Sequence, residues 1–418
     1  MIAFKKFILD NGLRVLVHED TNSPMACMNI LYDVGARDEQ EDKTGFAHLF
    51  EHLMFSGSIN IPNYDQPLQR VGGENNAFTS NDITNYYITL PAKNLETAFW
   101  LESDRMLGLA FNKQGLEVQR NVVIEEFKQR YLNQPYGDVW LRLRNLAYKV
   151  HPYKWATIGK EIKHIEEAKM EDVKAFFKKF YAPNNAIMAV TGNVTVDEVK
   201  ILAEKWFSDI PAQERNFRDL PMEPKQTEER REEVHAEVPV NSIYLAFHSV
   251  ERLHQDYQII DLLSDILARG TSSRLYRRLV KNKPMFSEIN AYVVGSIDHN
   301  LVVVEGKPLE NVSFIEAEEA IWEELNLLKT TLVSEEELTK VKNKIESTMV
   351  FAELSILDKA MNLAFYELLG DAELYNLEVS KYAQITVEDI LRVANETFTK
   401  ENSSTLLYHA QKTGEYAE

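Results

Sequence analysis

The sequence is poor in cysteine, short of positive charge and without long apolar runs. Cys27 is the only cysteine in 418 residues, so no disulfide can close within the chain and no cysteine-rich metal site can be built. Any metal must be held by histidine and carboxylate. Lys and Arg number 46 against 65 Asp and Glu, a formal charge of -19 that repels phosphate backbones and anionic membrane surfaces. Neither nucleic acid nor a membrane is an expected partner. No run of about eighteen apolar residues occurs, so no spanning helix is expected. The stretch "MIAFKKFILDNGLRVLVHED" lacks the apolar core of a signal peptide, because Asp10, Asn11 and Arg14 interrupt it; the expected location is cytoplasmic. A Gly-rich phosphate loop and a Gly-x-Ser-x-Gly elbow are also absent, which leaves other enzyme classes without support.

The length allows two or more domains, each with a core of its own. Strands are expected at "NGLRVLVHED", "MACMNILYDVG" and around "NAFTSNDITNYYITL", and helical patterns dominate from Leu95 to Phe180. A helix, a turn at Pro183-Asn184-Asn185 and a strand then close the first half. The second half opens on the strand "NSIYLAFHSV", runs through long helices to about Leu369, and ends in "VEDILRVANETFTKENSSTLLYHA". That ending echoes the first: Glu171-Asp172-Val173 with Phe180 answers Glu388-Asp389-Ile390 with Phe398, one residue longer. The expected fold is therefore α+β with two homologous halves, each a mainly antiparallel sheet packed with helices. Residues 1–210 form the first half and 234–418 the second. Between them "PAQERNFRDLPMEPKQTEERREE", residues 211–233, reads as a charged, proline-containing linker. The run "VSEEELTKVKNKIE" reads as a solvated helix face.

Chemistry concentrates in "GFAHLFEHLMFSG", Gly45 to Gly57. Residues four apart on a helix lie one above the other, so His48 and His52 can present both imidazoles to one metal ion, with Glu51 in the same turn. Composition alone gives about 0.04 His-x-x-acid-His matches per chain of this length, so accident is a poor explanation. Phe46, Ala47, Leu49, Phe50, Leu53, Met54 and Phe55 leave no polar face around the trio; ionisable groups enclosed that way would be costly unless a cation joined them. Two imidazoles leave a zinc ion short, since catalytic sites use three protein ligands and a water. The helix "LEVQRNVVIEEFKQRY", residues 116–131, offers Glu117, Glu125 and Glu126. At about 100° per residue Glu126 falls between Val122 and Val123 and points inward, with Gln119 on nearly the same stripe as a hydrogen-bond partner.

Taken together, "VGARDE", "GFAHLFEHLMFSG", "NAFTSNDITNYY" and "QRNVVIEEF" resemble the pitrilysin family of inverted-motif zinc peptidases, which includes insulysin and the β subunit of mitochondrial processing peptidase. The resemblance implies one zinc per chain on His48, His52 and Glu126, with Glu51 as general base and not a ligand. It implies an endopeptidase that holds an extended peptide as an added strand along "ENNAFTS", at Asn76, Ala77 and Phe78. Read without the family, Asn75-Asn76 is as good a turn as a strand, and Gly72-Gly73 would let the chain bend beside it. Two departures stand out. Many relatives have Glu where this chain has Gln119, so Gln119 can orient Glu126 without adding charge. Active single-chain relatives also carry an Arg and, about seven residues later, a Tyr that grip the substrate. Here those places fall on Val280 or Lys281 and on Phe286 or Ser287; Arg269 and Tyr276 have the spacing but belong to the preceding element. The resemblance therefore implies a dimer, either of two copies or with a homologous chain that carries the Arg-Tyr pair. The alternative function is an assembly or peptide-binding subunit of a heterodimeric peptidase, with little activity alone.

Overall fold

The computed structural model describes residues 1–214 and 218–411. Residues 215–217 of the expected linker and 412–418 of the expected second half lie outside the described residues.

Strands β1 (Lys5–Ile8), β2 (Arg14–Glu19), β3 (Met25–Tyr32), β4 (Glu74–Thr79), β5 (Thr84–Pro91) and β6 (Ala186–Gly192) make one sheet in the order β1-β2-β6-β3-β5-β4. Only β2 and β6 pair in parallel. A five-stranded sheet, in the order β7-β11-β8-β10-β9, is built from β7 (Arg230–Ala236), β8 (Ser242–His248), β9 (Phe286–Val293), β10 (Leu301–Pro308) and β11 (Ser403–Ala410). Again one pair, β7 with β11, is parallel. The helices are α1 (Phe46–Leu53), α2 (Asp65–Arg70), α3 (Leu95–Leu107), α4 (Lys113–Phe127), α5 (Val139–Ala147), α6 (Ile162–Glu166) and α7 (Met170–Phe180). They continue with α8 (Val196–Phe207), α9 (Tyr257–Ala268), α10 (Phe314–Thr330), α11 (Glu335–Ala352), α12 (Ile356–Leu368), α13 (Leu374–Gln384) and α14 (Val387–Thr397). Among the described residues no helix is long and apolar enough to cross a membrane.

The echo in the sequence has a structural meaning. In each sheet the strand that follows the echoed helix, β6 after α7 and β11 after α14, pairs in parallel with one neighbour and antiparallel with the other. Both helices begin with the same device. Asp172 accepts the Lys169 backbone N–H at 3.3 Å, and Asp389 accepts that of Thr386 at 3.0 Å, so the echoed acids close orphan donors at a helix start.

The chain divides into two units that interleave along the sequence. One holds Met1–Phe127, Trp155–Leu220 and Thr348–Glu378; the other holds Lys128–Lys154, Pro221–Ser347 and the chain from Val379 onward. The contiguous division at 1–210 and 234–418 differs from this because each sheet is covered by a helix from the other stretch of sequence. In the first unit, Ala360, Leu363 and Ala364 of α12 join Leu16, Cys27, Leu31, Ile187 and Ala189 in one core. In the second, Val139, Leu143 and Ala147 of α5 pack with Tyr244, Ala246, Val303 and Leu406.

The stretch expected as a linker contains the division between the two units, at Leu220 and Pro221, and most of its described residues are exposed, but it is anchored at several points. Arg218 donates to Asp38 at 2.7 Å and to Asp33 at 2.9 Å. Glu223 accepts the backbone N–H groups of Lys149, Val150 and His151 at 2.8, 2.9 and 3.0 Å. Arg230–Glu233 belong to β7, whose alternate residues are exposed because it is an edge strand. The charges of Arg230–Glu233 mark a sheet edge, which composition cannot tell from a tether.

One polar cluster is buried in the first unit. Arg105 on α3, 1% exposed, donates to Glu102 at 2.8 Å through Nε, and its guanidinium lies 4.3 Å from the Tyr86 ring centroid and 4.6 Å from that of Tyr64. Tyr64 in turn donates its hydroxyl to Glu102 at 2.6 Å. Removing one member of such a pair leaves a buried charge without its counterion, so Arg105→Ala should destabilise this unit by about 3–5 kcal/mol. Urea denaturation followed by fluorescence checks this, and a loss below about 1 kcal/mol would show that Glu102 finds water or a proton instead.

Candidate metal centre

Helix α1 is eight residues long, too short to persist in water unaided, and its surroundings fix it on three sides. Phe46, Leu49, Phe50 and Leu53 follow the i, i+3, i+4, i+7 pattern and are buried. The Phe50 ring lies 5.4 Å from Phe176, 6.0 Å from Phe177 and 4.6 Å from Tyr181, so α7 and the chain just after it form a wall behind α1. Gly45 ahead of the helix has φ +86°, and a Cβ there would stand 2.7 Å from the Ile158 carbonyl oxygen. Any other residue would be strained and crowded.

Glu39 caps the start. Its carboxyl oxygens accept the backbone N–H of Gly45 at 2.9 Å and of Ala47 at 2.8 Å. The neighbouring residues of "VGARDE" have related work: Asp38 accepts the Gly35 N–H at 3.0 Å and binds Arg218, while Arg37 pairs with Asp82 at 3.0 Å. Burial pushes the Glu39 carboxyl up from its ordinary 4.5 to about 8, although the two N–H donors pull the other way.

With its apolar stripe turned inward, α1 shows His48, Glu51 and His52 on the remaining face. This corrects the expectation that apolar side chains enclose them: the His48 and His52 side chains are 14% and 24% exposed, and Glu126 is 17% exposed. The flanking Phe and Leu residues are the helix's packing stripe, not a lining around the trio. Glu126 comes from α4, whose Val123, Ile124 and Phe127 are buried while Glu125 is exposed and Val122 is 43% exposed. Arg120, on the same helix, donates to Ala168 O at 2.5 Å and fixes the helix from its other side.

The three donors meet. His48 Nε2 and His52 Nε2 lie 3.7 and 3.5 Å from Glu126 Oε2, and one donor atom from each residue lies within 4.8 Å of the others. The imidazole rings stand edge to face with centroids 4.9 Å apart. Ligands about 2.0–2.2 Å from a tetrahedral zinc stand about 3.3–3.6 Å from one another, so this set fits zinc. Glu51 is not part of the cluster; its Oε2 accepts the Thr79 hydroxyl at 2.5 Å.

Thr79 ends β4, the edge strand of the first sheet. Asn76 and Ala77 are strand residues, paired with Tyr87 and Tyr86 of β5, which resolves the turn-or-strand question in favour of strand. Phe78 is 40% exposed, as alternation along an edge requires. The bend into β4 uses Gly72 at φ +72°. Gln119 lies two turns before Glu126 on α4, partly buried.

In the second unit, Val280 and Lys281 lie in the helical turn Tyr276–Asn282. Phe286 opens β9 and is 1% exposed, and Ser287 donates to Lys307 O at 3.2 Å. Arg269 follows α9 and pairs with Asp265 at 3.2 Å, a helix-end contact. Sequence reasoning missed Glu39 and Thr79. Glu39 stands six residues before Gly45, outside the spacing of a local cap, and only the fold brings it to the helix start.

Comparison with known proteins agrees with this architecture. The insulinase model of peptidase family M16 matches residues 14–160, and the model described as the peptidase M16 inactive domain matches residues 168–345. The chain is 32% identical over 406 residues to the zinc protease PqqE of Helicobacter pylori, an alignment covering 95% of this chain and 91% of that protein. It is 28% identical over 209 residues to the mitochondrial-processing peptidase subunit beta of Saccharomyces cerevisiae, covering 49% and 45% of the two chains. Its fold superposes on the crystal structure of a protease from Helicobacter pylori with a TM-score of 0.91 at 30% identity, covering 98% and 100%. Fold and matched models together define an insulinase-type, zinc-protease-like protein. The chain belongs to peptidase family M16.

The Glu39 cap gives a pH signature. A carboxyl whose folded pKa exceeds its unfolded value adds stability that is full below about 4.5 and lost as pH rises through about 8. Thermal midpoints of the wild type and Glu39→Gln, measured from about pH 6 to about pH 9, should converge as the pH rises. A gap that widens with pH would mean that Glu39 caps the helix as an anion.

Proposed function

We propose that this chain is a zinc endopeptidase acting on extended peptides or small unfolded polypeptides, with His48, His52 and Glu126 holding the metal and Glu51 as general base. The observation that carries the proposal is the meeting of three donor atoms within 4.8 Å, beside a carboxylate that is not among them. Zinc at that point would lower the pKa of a water to about 7 and polarise the scissile carbonyl. Glu51 would take the proton of the attacking water on its carboxylate and deliver it to the leaving amine. The Thr79 hydroxyl, donating to Oε2, sets the orientation of that carboxylate and ties it to the end of β4. The outer edge of β4 would pair with the backbone of an extended peptide at Asn76, Ala77 and Phe78, a mode that accepts many sequences. A subunit that only assembles or binds peptide needs no base, and the retention of Glu51 in contact with Thr79 speaks against that role.

Metal content and hydrolysis separate the roles. The purified protein should carry about one zinc after dialysis, and His52→Ala should lose it. Glu51→Gln should keep zinc and lose at least about a hundredfold in hydrolysis of a mixed peptide library read by mass spectrometry. Stoichiometric zinc in His52→Ala, or full activity in Glu51→Gln, would overturn the assignment.

The second half lacks the gripping pair of its relatives, since Phe286 is buried in β9 and Val280, Lys281 and Ser287 offer neither a guanidinium nor a phenol. A homologous chain with Arg and Tyr at those places would complete substrate binding in a heterodimer. Peptide cleavage by the protein alone should be slow and rise at least about tenfold with such a partner. Equal rates with and without every candidate, together with only monomer or homodimer in native mass spectrometry, would remove the heterodimer.

A further inference from the structure

The two faces of the edge strand β4 meet different surroundings. Glu74, Asn76 and Phe78 are exposed, while Asn75, Ala77 and Thr79 alternate with them and are partly buried. Thr79 reaches Glu51 on α1, so the partly buried face is the one turned to the metal centre. The exposed face looks the other way. Glu74 stands opposite Thr89 and Asn76 opposite Tyr87 on β5, and Thr89 stands opposite Cys27 of β3, which belongs to the core beneath α12. That core takes residues of β2, β3 and β6 and none of β4, so α12 leaves this side of the edge strand uncovered.

A cleft of about 630 Å³ lies on the uncovered side. Glu74, Asn76 and Tyr87 line it from the sheet, and Leu354, Ile356 and Leu357 line it from the chain entering α12. Leu354 is 76% exposed although it is apolar. Two carboxylates border the cleft, and only one lacks a counterion. Asp20 is engaged by the Lys359 ammonium at 2.7 Å, whereas Glu74 is exposed and has no ion-pair partner among the described residues. The start of α12 adds no strong pull on an anion, because Ser355 caps it and Asp358 stands in its first turn. The cleft therefore offers an apolar wall, an aromatic ring and one uncompensated negative charge.

An extended peptide added along β4 sends alternate side chains to these two faces. Its residue opposite Thr79 lies at Glu51, and its residues opposite Asn76 and Glu74 lie about 10 and 17 Å farther along, with their side chains toward the cleft. We propose that the cleft is a specificity subsite for a Lys or Arg side chain three to five residues to the C-terminal side of the scissile bond. The stem would lie along Leu354 and the Tyr87 ring, whose face attracts a cation, and the charged end would meet Glu74. The C-terminal side follows from antiparallel pairing, the arrangement that β4 already has with β5. This subsite rests on the reading of the α1 centre as a peptidase with β4 as its peptide-binding edge.

Hydrolysis and binding test this separately. Products of a mixed peptide library cut by the wild type should be enriched in Lys and Arg three to five residues after the cut. Between matched peptides that differ only in Lys or Met at that place, kcat/KM should favour Lys by about fivefold, mainly through KM; the size is modest because Glu74 is exposed. Glu74→Lys should reverse the order, so that a Glu peptide is cut faster than the Lys peptide. Binding is read without turnover on the Glu51→Gln protein, by fluorescence anisotropy of the same peptides carrying fluorescein. The Lys peptide should bind about fivefold tighter than the Met peptide at low salt, and the difference should shrink near about 0.5 M sodium chloride and vanish in Glu74→Gln. Equal binding of the two peptides, or a preference that survives Glu74→Gln, overturns the subsite whether or not the wild type hydrolyses them. A Glu74-dependent preference in binding, with no hydrolysis by the wild type, supports the subsite and removes the peptidase reading instead.

Discussion

Everything at the α1 centre depends on one geometric constraint: two imidazoles from one helical turn and a carboxylate from another helix must be kept within about a ligand–ligand distance of each other before any metal arrives. His48 and His52 satisfy their part locally, by being four apart. Glu126 cannot, because it lies on α4. The 3.5 and 3.7 Å separations therefore report how well two helices are fixed, not only which residues are present. A helix as short as α1 has little stability of its own, so its packing, its cap and its tether to β4 all serve that one distance. Phe50 in its aromatic wall sets the rotation of the helix, Glu39 sets its start, and Thr79 sets the Glu51 carboxylate, which stands outside the donor cluster.

These parts were unequally legible in the sequence. The histidine pair was visible because its geometry is that of a single turn. Glu126 was visible because helical periodicity separates it from the exposed Glu125, although of the two valines expected to flank it on the buried side Val123 is buried and Val122 is exposed. The polarity of the trio's surroundings was misjudged, since a run such as Phe46, Leu49, Phe50 and Leu53 looks like enclosure when read linearly and becomes one stripe when wound at about 100° per residue. Glu39 and Thr79 were invisible as partners because their contacts come from loop and sheet geometry, which no local spacing encodes. The anchoring of the charged stretch 211–233 was invisible for a related reason. Arg218 and Glu223 are spent on ion pairs and backbone caps that exist only once distant residues are in place.

The α+β class was legible from alternating and helical periods, and the echoed endings pointed correctly to two similar sheets. The interleaving of the units was not, because it depends on which sheet α5 and α12 cover. Their apolar faces, Val139, Leu143 and Ala147 on one and Ala360, Leu363 and Ala364 on the other, would suit either sheet. Burial of an apolar face is nondirectional, so sequence shows that a helix must pack without showing where.

The two sheets also explain why the His48-Glu51-His52 set has no counterpart on the matching helix of the second unit. The orders β2-β6-β3-β5-β4 and β7-β11-β8-β10-β9 correspond strand for strand in their pairing, so α9, which follows β8, occupies the place in the chain that α1 occupies after β3. The difference lies in which faces are covered. On α1 the apolar stripe leaves His48, Glu51 and His52 partly exposed. On α9 every residue from Tyr257 to Ala268 except Asp261 is buried. A helix buried nearly all round has no face from which to offer donor atoms to an ion, so the second unit keeps the scaffold without such a donor set at that position.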